Sequence, residues 1–411
     1  MKLRKIAWRN IRRNGRRSLL SMSAIGIAAM AFVFLFGFIE GMKHDVAYNI
    51  HTFVNGEVLV RHQDFAKYRH LNPLHLGVKN YQELVSNLET RPEVEMMSPR
   101  IKFPTAIYQE GNTYRAQGMG VDFNHETEYQ QIEQYVVEGR LPRNGENEAL
   151  IASGLAKDMG LEIGDRFTIL TQTMGRGMNA ITLNITGISH YDFQGLNGNF
   201  FQAPLDRIQY LLRMEDSVSE ILIKLHEDYT PESFASVLKT ELLQGESWAE
   251  LEAAPWTRIS ETYNMIALAE AIYYLIALLF FFLGSTVIIN TMMMTVFERR
   301  KEIGTVSAMG MTGPEVVRLF FLEAFYISVI GSFVGVLVGI GITYPLSIYG
   351  ISFGAAMEGV DFEMSEVVRP ILNFKSTIFV FVYSSLVASL ASLIPSRKSA
   401  KVKPVEALRA I

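Results

Sequence analysis

The chain has 411 residues, of which 19% are charged and 49% apolar, with a formal net charge of −4. Soluble globular proteins carry about 25% charged residues, so the deficit points to lipid-facing surface and excludes an ordinary soluble enzyme. The 26 Phe and 19 Met are accompanied by no Cys, which rules out disulfides and thiolate metal ligands.

Lys2, Arg4, Lys5, Arg9, Arg12, Arg13, Arg16 and Arg17 are eight basic residues, with no acid, within the first 17 positions. Four stretches then lack Asp, Glu, Lys and Arg: 18–39, 271–297, 324–357 and 376–396, of 22, 27, 34 and 21 residues. Each exceeds the roughly 18–20 apolar residues that span a bilayer. The basic start fixes the N-terminus in the cytoplasm. No small-x-small cleavage site follows Ile39, so the first helix is expected to be retained. The expected fold class is a membrane α-helical protein with four transmembrane helices and a large extracytoplasmic α+β domain inserted between helices 1 and 2.

The predicted order is a cytoplasmic basic amphipathic N-terminus (1–17), helix 1 (18–41), an extracytoplasmic α+β domain of two lobes (42–265) and helix 2 (266–297). A cytoplasmic helical segment (298–313), helix 3 (314–345), an extracytoplasmic loop (346–375), helix 4 (376–396) and a cytoplasmic tail (397–411) follow. Residues 40–270 hold 33 Asp and Glu against 19 Lys and Arg, and the external loop adds Glu358, Asp361 and Glu363. The tail carries five basic residues against Glu406. Both termini are therefore expected inside the cell, in a multi-pass membrane protein.

Within the external domain, Gly56–Arg61, Phe167–Thr171 and Ile181–Ile188 read as strands, and Tyr81–Glu89 and Phe234–Leu243 as amphipathic helices. Gly139 to Glu148 marks a turn, and Ala149 to Leu170 reads as strand, short helix, Gly164-Asp165 turn, strand. All eight His, including His51 and His70, fall here without zinc-ligand spacing. Gly118-Met119-Gly120 lacks the third glycine of a dinucleotide fingerprint and is worth only a turn. No nucleophile elbow or P-loop occurs, so the domain reads as a binder, with no catalytic residues and no metal. Phe200, Phe201, Trp248 and Trp256 either fill a core or line an apolar ligand surface.

Gly331, Gly335 and Gly339 recur every four residues on one face of helix 3 and read as helix packing, within the chain or at a subunit seam. Thr312-Gly313-Pro314-Glu315 has capping-box spacing, and Pro345 suggests a break. Between the membrane segments, Glu298, Arg299, Arg300, Lys301 and Glu302 lead into Ile303, Gly304 and Val306, ending at Met309-Gly310. Such a segment either docks on a partner protein, with Ile303, Val306 and Met309 facing that partner or the bilayer, or is an interfacial linker.

The start Ala7-Trp8-Arg9-Asn10, the stretch Glu138–Arg166, Glu298–Gly304 with Ala308-Met309-Gly310, and the closing Pro404-Val405-Glu406-Ala407-Leu408-Arg409 together resemble ATP-binding cassette (ABC) permeases of the MacB/FtsX superfamily. The chain is most similar to the lipoprotein-releasing LolC and LolE branch. The resemblance implies a coupling helix at Glu298–Gly310 seated on a cytoplasmic ABC ATPase dimer, which would bind ATP and Mg; the permease itself binds no cofactor. It further implies a second permease subunit, the same chain or a paralogue, lipoprotein cargo, a periplasmic lipoprotein carrier, and no nucleic acid. Lipoprotein extraction leads the functional expectations. Efflux of a peptide or small amphiphile with a periplasmic adaptor, and a non-transporting complex that regulates a cell-wall hydrolase, stay open.

Overall fold

Apolar runs in hydrocarbon fold as helices because each segment must pair its own N–H and C=O groups. The computed structural model describes residues 2–68, 71–109, 111–192, 194–242, 248–298, 300–353 and 365–399. His70, Arg299, the acids Glu358, Asp361 and Glu363, and the closing Pro404–Arg409 segment lie outside the described residues, as do the side chains of Arg300, Lys301 and Val306. The chain divides into two units, Met1–Lys43 with Ile266–Ile351 and Val368–Ile411, and His44–Met265 with Ser352–Val367.

The first unit is helical. Its helices are α1 (Lys2–Arg13), α2 (Gly15–Asn49), α3 (Glu261–Glu298), α4 (Arg300–Ala308), α5 (Gly313–Tyr349), α6 (Phe374–Ala391) and α7 (Leu393–Ser399). Among the described residues, three segments are long and apolar enough to cross a membrane: Gly15–Val54, Gly313–Tyr349 and Phe374–Lys398. α3 is 38 residues long, but several of its central side chains lie outside the described residues, so the fourth expected crossing is not tested among them. α5 opens on the expected capping box, with Thr312 N and Oγ1 each 2.9 Å from Glu315 Oε2. It runs through Pro345 to Tyr349 and does not break there, because a membrane helix tolerates the lost backbone bond when neighbouring groups compensate.

The glycine face of α5 lies against α2. A Cβ on Gly335 would stand 2.2 Å from the Gly26 carbonyl oxygen, one on Gly331 would stand 2.7 Å from that of Met22, and one on Gly339 would stand 2.9 Å from Val33 Cβ. The seam is thus within the chain. On the α6 side, Ser328 and Ser389 hydroxyls are 2.9 Å apart and Ser384 donates to Ser332 at 2.7 Å. Small residues that permit backbone approach and hydroxyls that pair across helices hold a bundle where lipid removes the hydrophobic driving force.

The second unit contains ten strands in one connected sheet: β1 (Val58–His62), β2 (Val94–Gln109), β3 (Asn112–Val121), β4 (Val136–Gly139), β5 (Glu148–Ala152), β6 (Arg166–Gln172), β7 (Met178–Ser189), β8 (Phe200–Pro204), β9 (Glu220–Leu225) and β10 (Leu251–Pro255). β2 is 16 residues long and serves two assemblies. Its first half ends an antiparallel sheet in the order β10-β1-β9-β2. Its second half pairs with β6, and the ring β2-β3-β8-β5-β7-β6 closes on itself. Closure removes free edges.

Phe103, Phe167 and Phe201 fill the ring, with edge-to-face centroid distances of 6.2 and 5.5 Å. Gly118 sits opposite Phe103 in the register, and a Cβ there would come within 2.4 Å of the Phe103 ring. The Gly118–Gly120 cluster is therefore strand, not turn; Gly118 makes room for the Phe103 ring and Gly120 for Ile208. Phe200 and Phe201 are core residues at 3% and 0% exposure.

In the Gly139-to-Glu148 turn, the hydrogen bond from Arg140 holds the Glu148 carboxyl below its ordinary value of 4.5. A depressed carboxylate stabilises the fold above its unfolded pKa, and that stability is lost as pH falls through the folded value. The pair is partly exposed, which limits it to roughly 0.2–1 kcal/mol. Arg140→Gln is expected to lower the unfolding temperature slightly at neutral pH. The two proteins should converge as the medium is acidified well below pH 4.5, as measured by thermal unfolding.

Candidate functional site

Within the helical unit, the segment between α3 and α5 is tied to the basic N-terminus. Arg13 Nη2 donates to both oxygens of Glu302, at 2.7 and 2.6 Å, and Arg17 pairs with Glu298 through both terminal nitrogens. Glu302 thus has an arginine partner in its own chain. These pairs are half exposed, so they set geometry more than stability.

Ile303 is 7% exposed and packs on Val316 and Phe320 of α5. This corrects the expectation that it faces a partner or the bilayer: the turn between α4 and α5 folds the first α4 apolar side chain back onto its own bundle. Gly304 is buried beside it. Met309, by contrast, is 75% exposed, and Gly310 ends the segment at φ +102°, a conformation side chains with a Cβ rarely adopt. Of the expected coupling residues, Glu298, Glu302 and Met309 are the ones among the described side chains that are exposed.

One contact in this unit was not anticipated from sequence. Asn10 Nδ2 donates to Glu323 Oε1 at 2.5 Å, and each residue is 4% exposed. Glu323 is the last charge before the uncharged run 324–357, so counting apolar residues passes over it. The buried pair docks α1 on α5, and Ile11 joins Ala324, Ile327 and Ala388 in the adjoining apolar cluster.

The second unit has its own polar centre. Arg100 and Glu126 are fully buried and paired, Nε to Oε1 at 2.8 Å and Nη2 to Oε2 at 3.1 Å. Arg100 also donates to the carbonyls of Phe53 at 2.9 Å and Thr52 at 3.2 Å, Lys102 to that of Val54 at 2.6 Å, and Tyr129 to that of His51 at 3.0 Å. These carbonyls belong to the π-helical turn Ile50–Val54 that follows α2. The last carbonyls of a helix lack internal partners and attract cations, and here buried side chains supply both. Burial drives the Tyr129 hydroxyl pKa above its ordinary range, so it acts as a neutral donor. Among the described residues no cluster of three or more His, Asp or Glu side chains is arranged to hold a metal ion.

Helices long and apolar enough to cross a membrane, together with a large α+β unit, are the features of a membrane permease with a large extracytoplasmic domain. Residues 18–241 match the MacB-like periplasmic core domain and residues 274–404 the FtsX-like permease C-terminal region. The chain belongs to this family of ABC transporter permeases. It is 23% identical to the lipoprotein-releasing system transmembrane protein LolE of Haemophilus influenzae over 98% of both chains. It is 22% identical to LolC of the same system in Xylella fastidiosa over 82% of both. A third relative, the macrolide export ATP-binding/permease protein MacB of Vibrio parahaemolyticus, is 31% identical over 32% of this chain and 18% of its own length.

Proposed function

We propose that the chain is the permease subunit of an ATP-driven transporter that extracts lipoproteins from the outer leaflet of the inner membrane and hands them to a periplasmic carrier. The observation that carries this reading is the end-to-end likeness to LolE, over 98% of both chains; the matches to two MacB proteins cover 32% and 48% of this chain. In this reading α3 is the fourth crossing and both termini are cytoplasmic. A separate ATPase dimer binds ATP and Mg, and a second permease, identical or paralogous, completes the complex. Glu298–Gly310 sits on the ATPase, with the exposed Met309 end as the contact and the Arg13–Glu302 and Arg17–Glu298 pairs transmitting its position to α1 and to the start of α2.

The test is mass spectrometry of the complex purified in mild detergent from its native membrane. A separate ATPase together with acylated protein cargo is the expected result. An ATPase with an adaptor and no lipoprotein makes the chain an exporter, and the absence of any ATPase removes the coupling role. Glu302→Lys is expected to lower substrate-stimulated ATP hydrolysis by about two- to fivefold, the range that an exposed pair of up to ~1 kcal/mol allows. Charge reversal at both positions, Arg13→Glu with Glu302→Lys, should restore it. Full stimulation in the single variant would separate this ion pair from coupling.

A further inference from the structure

The N-terminal helix has two faces with different occupants. Its inner face is accounted for: Ala7, Asn10 and Ile11 are buried, Asn10 on Glu323 and Ile11 among Ala324, Ile327 and Ala388. Its outer face carries Lys5, Trp8, Arg9 and Arg12, spaced i, i+3, i+4, i+7 and therefore on one side of α1. All four are exposed. Lys5, Arg9 and Arg12 have no ionic partner among the described residues, in contrast to Arg13 and Arg17.

The depth of this face follows from what the inner face touches. Ala324 opens an uncharged stretch that continues to the end of α5 at Tyr349, so Ile11 is level with the start of the hydrocarbon, and the basic stripe lies at the height of the phosphates. Trp8 is 46% exposed and meets Tyr326 edge-to-face at 6.0 Å, the arrangement of an interfacial aromatic, apolar on one side and wet on the other. We infer that Lys5, Arg9 and Arg12 form a docking surface for the headgroups of anionic phospholipids, with Trp8 seated beside them at the acyl boundary. Through Arg13 the same helix holds Glu302, so headgroup occupancy bears on the segment between α3 and α5. The inference requires a membrane permease but is independent of its cargo.

The test uses the full chain in vesicles of phosphatidylcholine, alone or mixed with phosphatidylglycerol, with either lipid brominated on its acyl chains. Trp8 fluorescence is the readout, and the Trp8→Phe variant supplies the background from Trp248 and Trp256. Brominated phosphatidylglycerol is expected to quench Trp8 more strongly than brominated phosphatidylcholine at equal content. The preference should fall about fivefold for each charge removed in a series from Lys5→Gln to Lys5→Gln/Arg9→Gln/Arg12→Gln, and should weaken with salt. The charge-preserving variant Lys5→Arg/Arg9→Lys/Arg12→Lys should keep it, which separates lost attraction from lost insertion. Equal quenching by the two lipids overturns the proposal. So does an absence of quenching by either, the result expected if the stripe docks on an acidic protein surface.

Discussion

Gly335→Ala is expected to destabilise the membrane unit by about 3 kcal/mol, and Gly335→Leu to prevent recovery of folded protein. The added Cβ would lie 2.2 Å from the carbonyl oxygen and 2.6 Å from the Cα of Gly26. Both obstacles are backbone, so no rotamer change relieves the clash, and α2 and α5 must separate. Separation also opens the adjacent contacts at Gly331 and Gly339, along with the cluster of Ala29, Phe32, Val33 and Val336. Gly341→Ala is the control: nothing lies within 4 Å of its Cβ position. Alanine's better helix propensity makes that change neutral or stabilising by up to about 1 kcal/mol. Unfolding midpoints in mild detergent distinguish the two. Because this seam lies within one chain, the Gly335→Ala midpoint should not depend on protein concentration, whereas a seam between subunits would make it do so.

The apolar helices within Gly15–Val54, Gly313–Tyr349 and Phe374–Lys398 were legible because hydrocarbon imposes a composition, and uncharged runs against a charged background leave little else to consider. Local elements of the second unit were legible for a related reason. Tyr81–Glu89 forms a helix with the bounds expected from its apolar spacing, and the strand, helix, Gly164-Asp165 turn and strand between Ala149 and Leu170 appear as β5, Ser153–Met159, the turn and β6. Ring closure was not legible. It depends on β2 continuing past Arg100 to meet β6, and on parallel pairings of β3 with β8 and of β5 with β7, none of which leaves a mark in alternation.

The candidate coupling segment was found by its position between apolar runs and by resemblance, but its own partners were not. Eight basic residues at the N-terminus carry an orientation signal that masks individual roles. No spacing rule links Arg13 to Glu302 across 289 positions. Ile303 illustrates the opposite error, since an apolar residue in a short helix suits either a partner or the chain's own bundle, and only the fold chooses.

Arg100→Met and Glu126→Gln are each expected to cost about 3–5 kcal/mol, the penalty for leaving one member of a buried pair behind. Each group is 0% exposed, so water cannot take the partner's place. The double variant Arg100→Met/Glu126→Leu should recover part of the loss, because apolar groups of similar volume remove the uncompensated charge. It should not recover all of it. Arg100 also satisfies the Phe53 and Thr52 carbonyls, and no apolar substitute can do so. The residue left exposed by that argument is the π-helical turn: its amides should exchange faster in every Arg100 variant, the double variant included, while exchange in the β3–β8 pairing stays slow. Arg100→Lys keeps the charge but not the planar fork that reaches Glu126 and two carbonyls together, and should fall between wild type and Arg100→Met. Wild-type exchange in the turn after Arg100→Met would mean that Lys102 and Tyr129 suffice to hold it, and that the buried arginine serves the sheet alone.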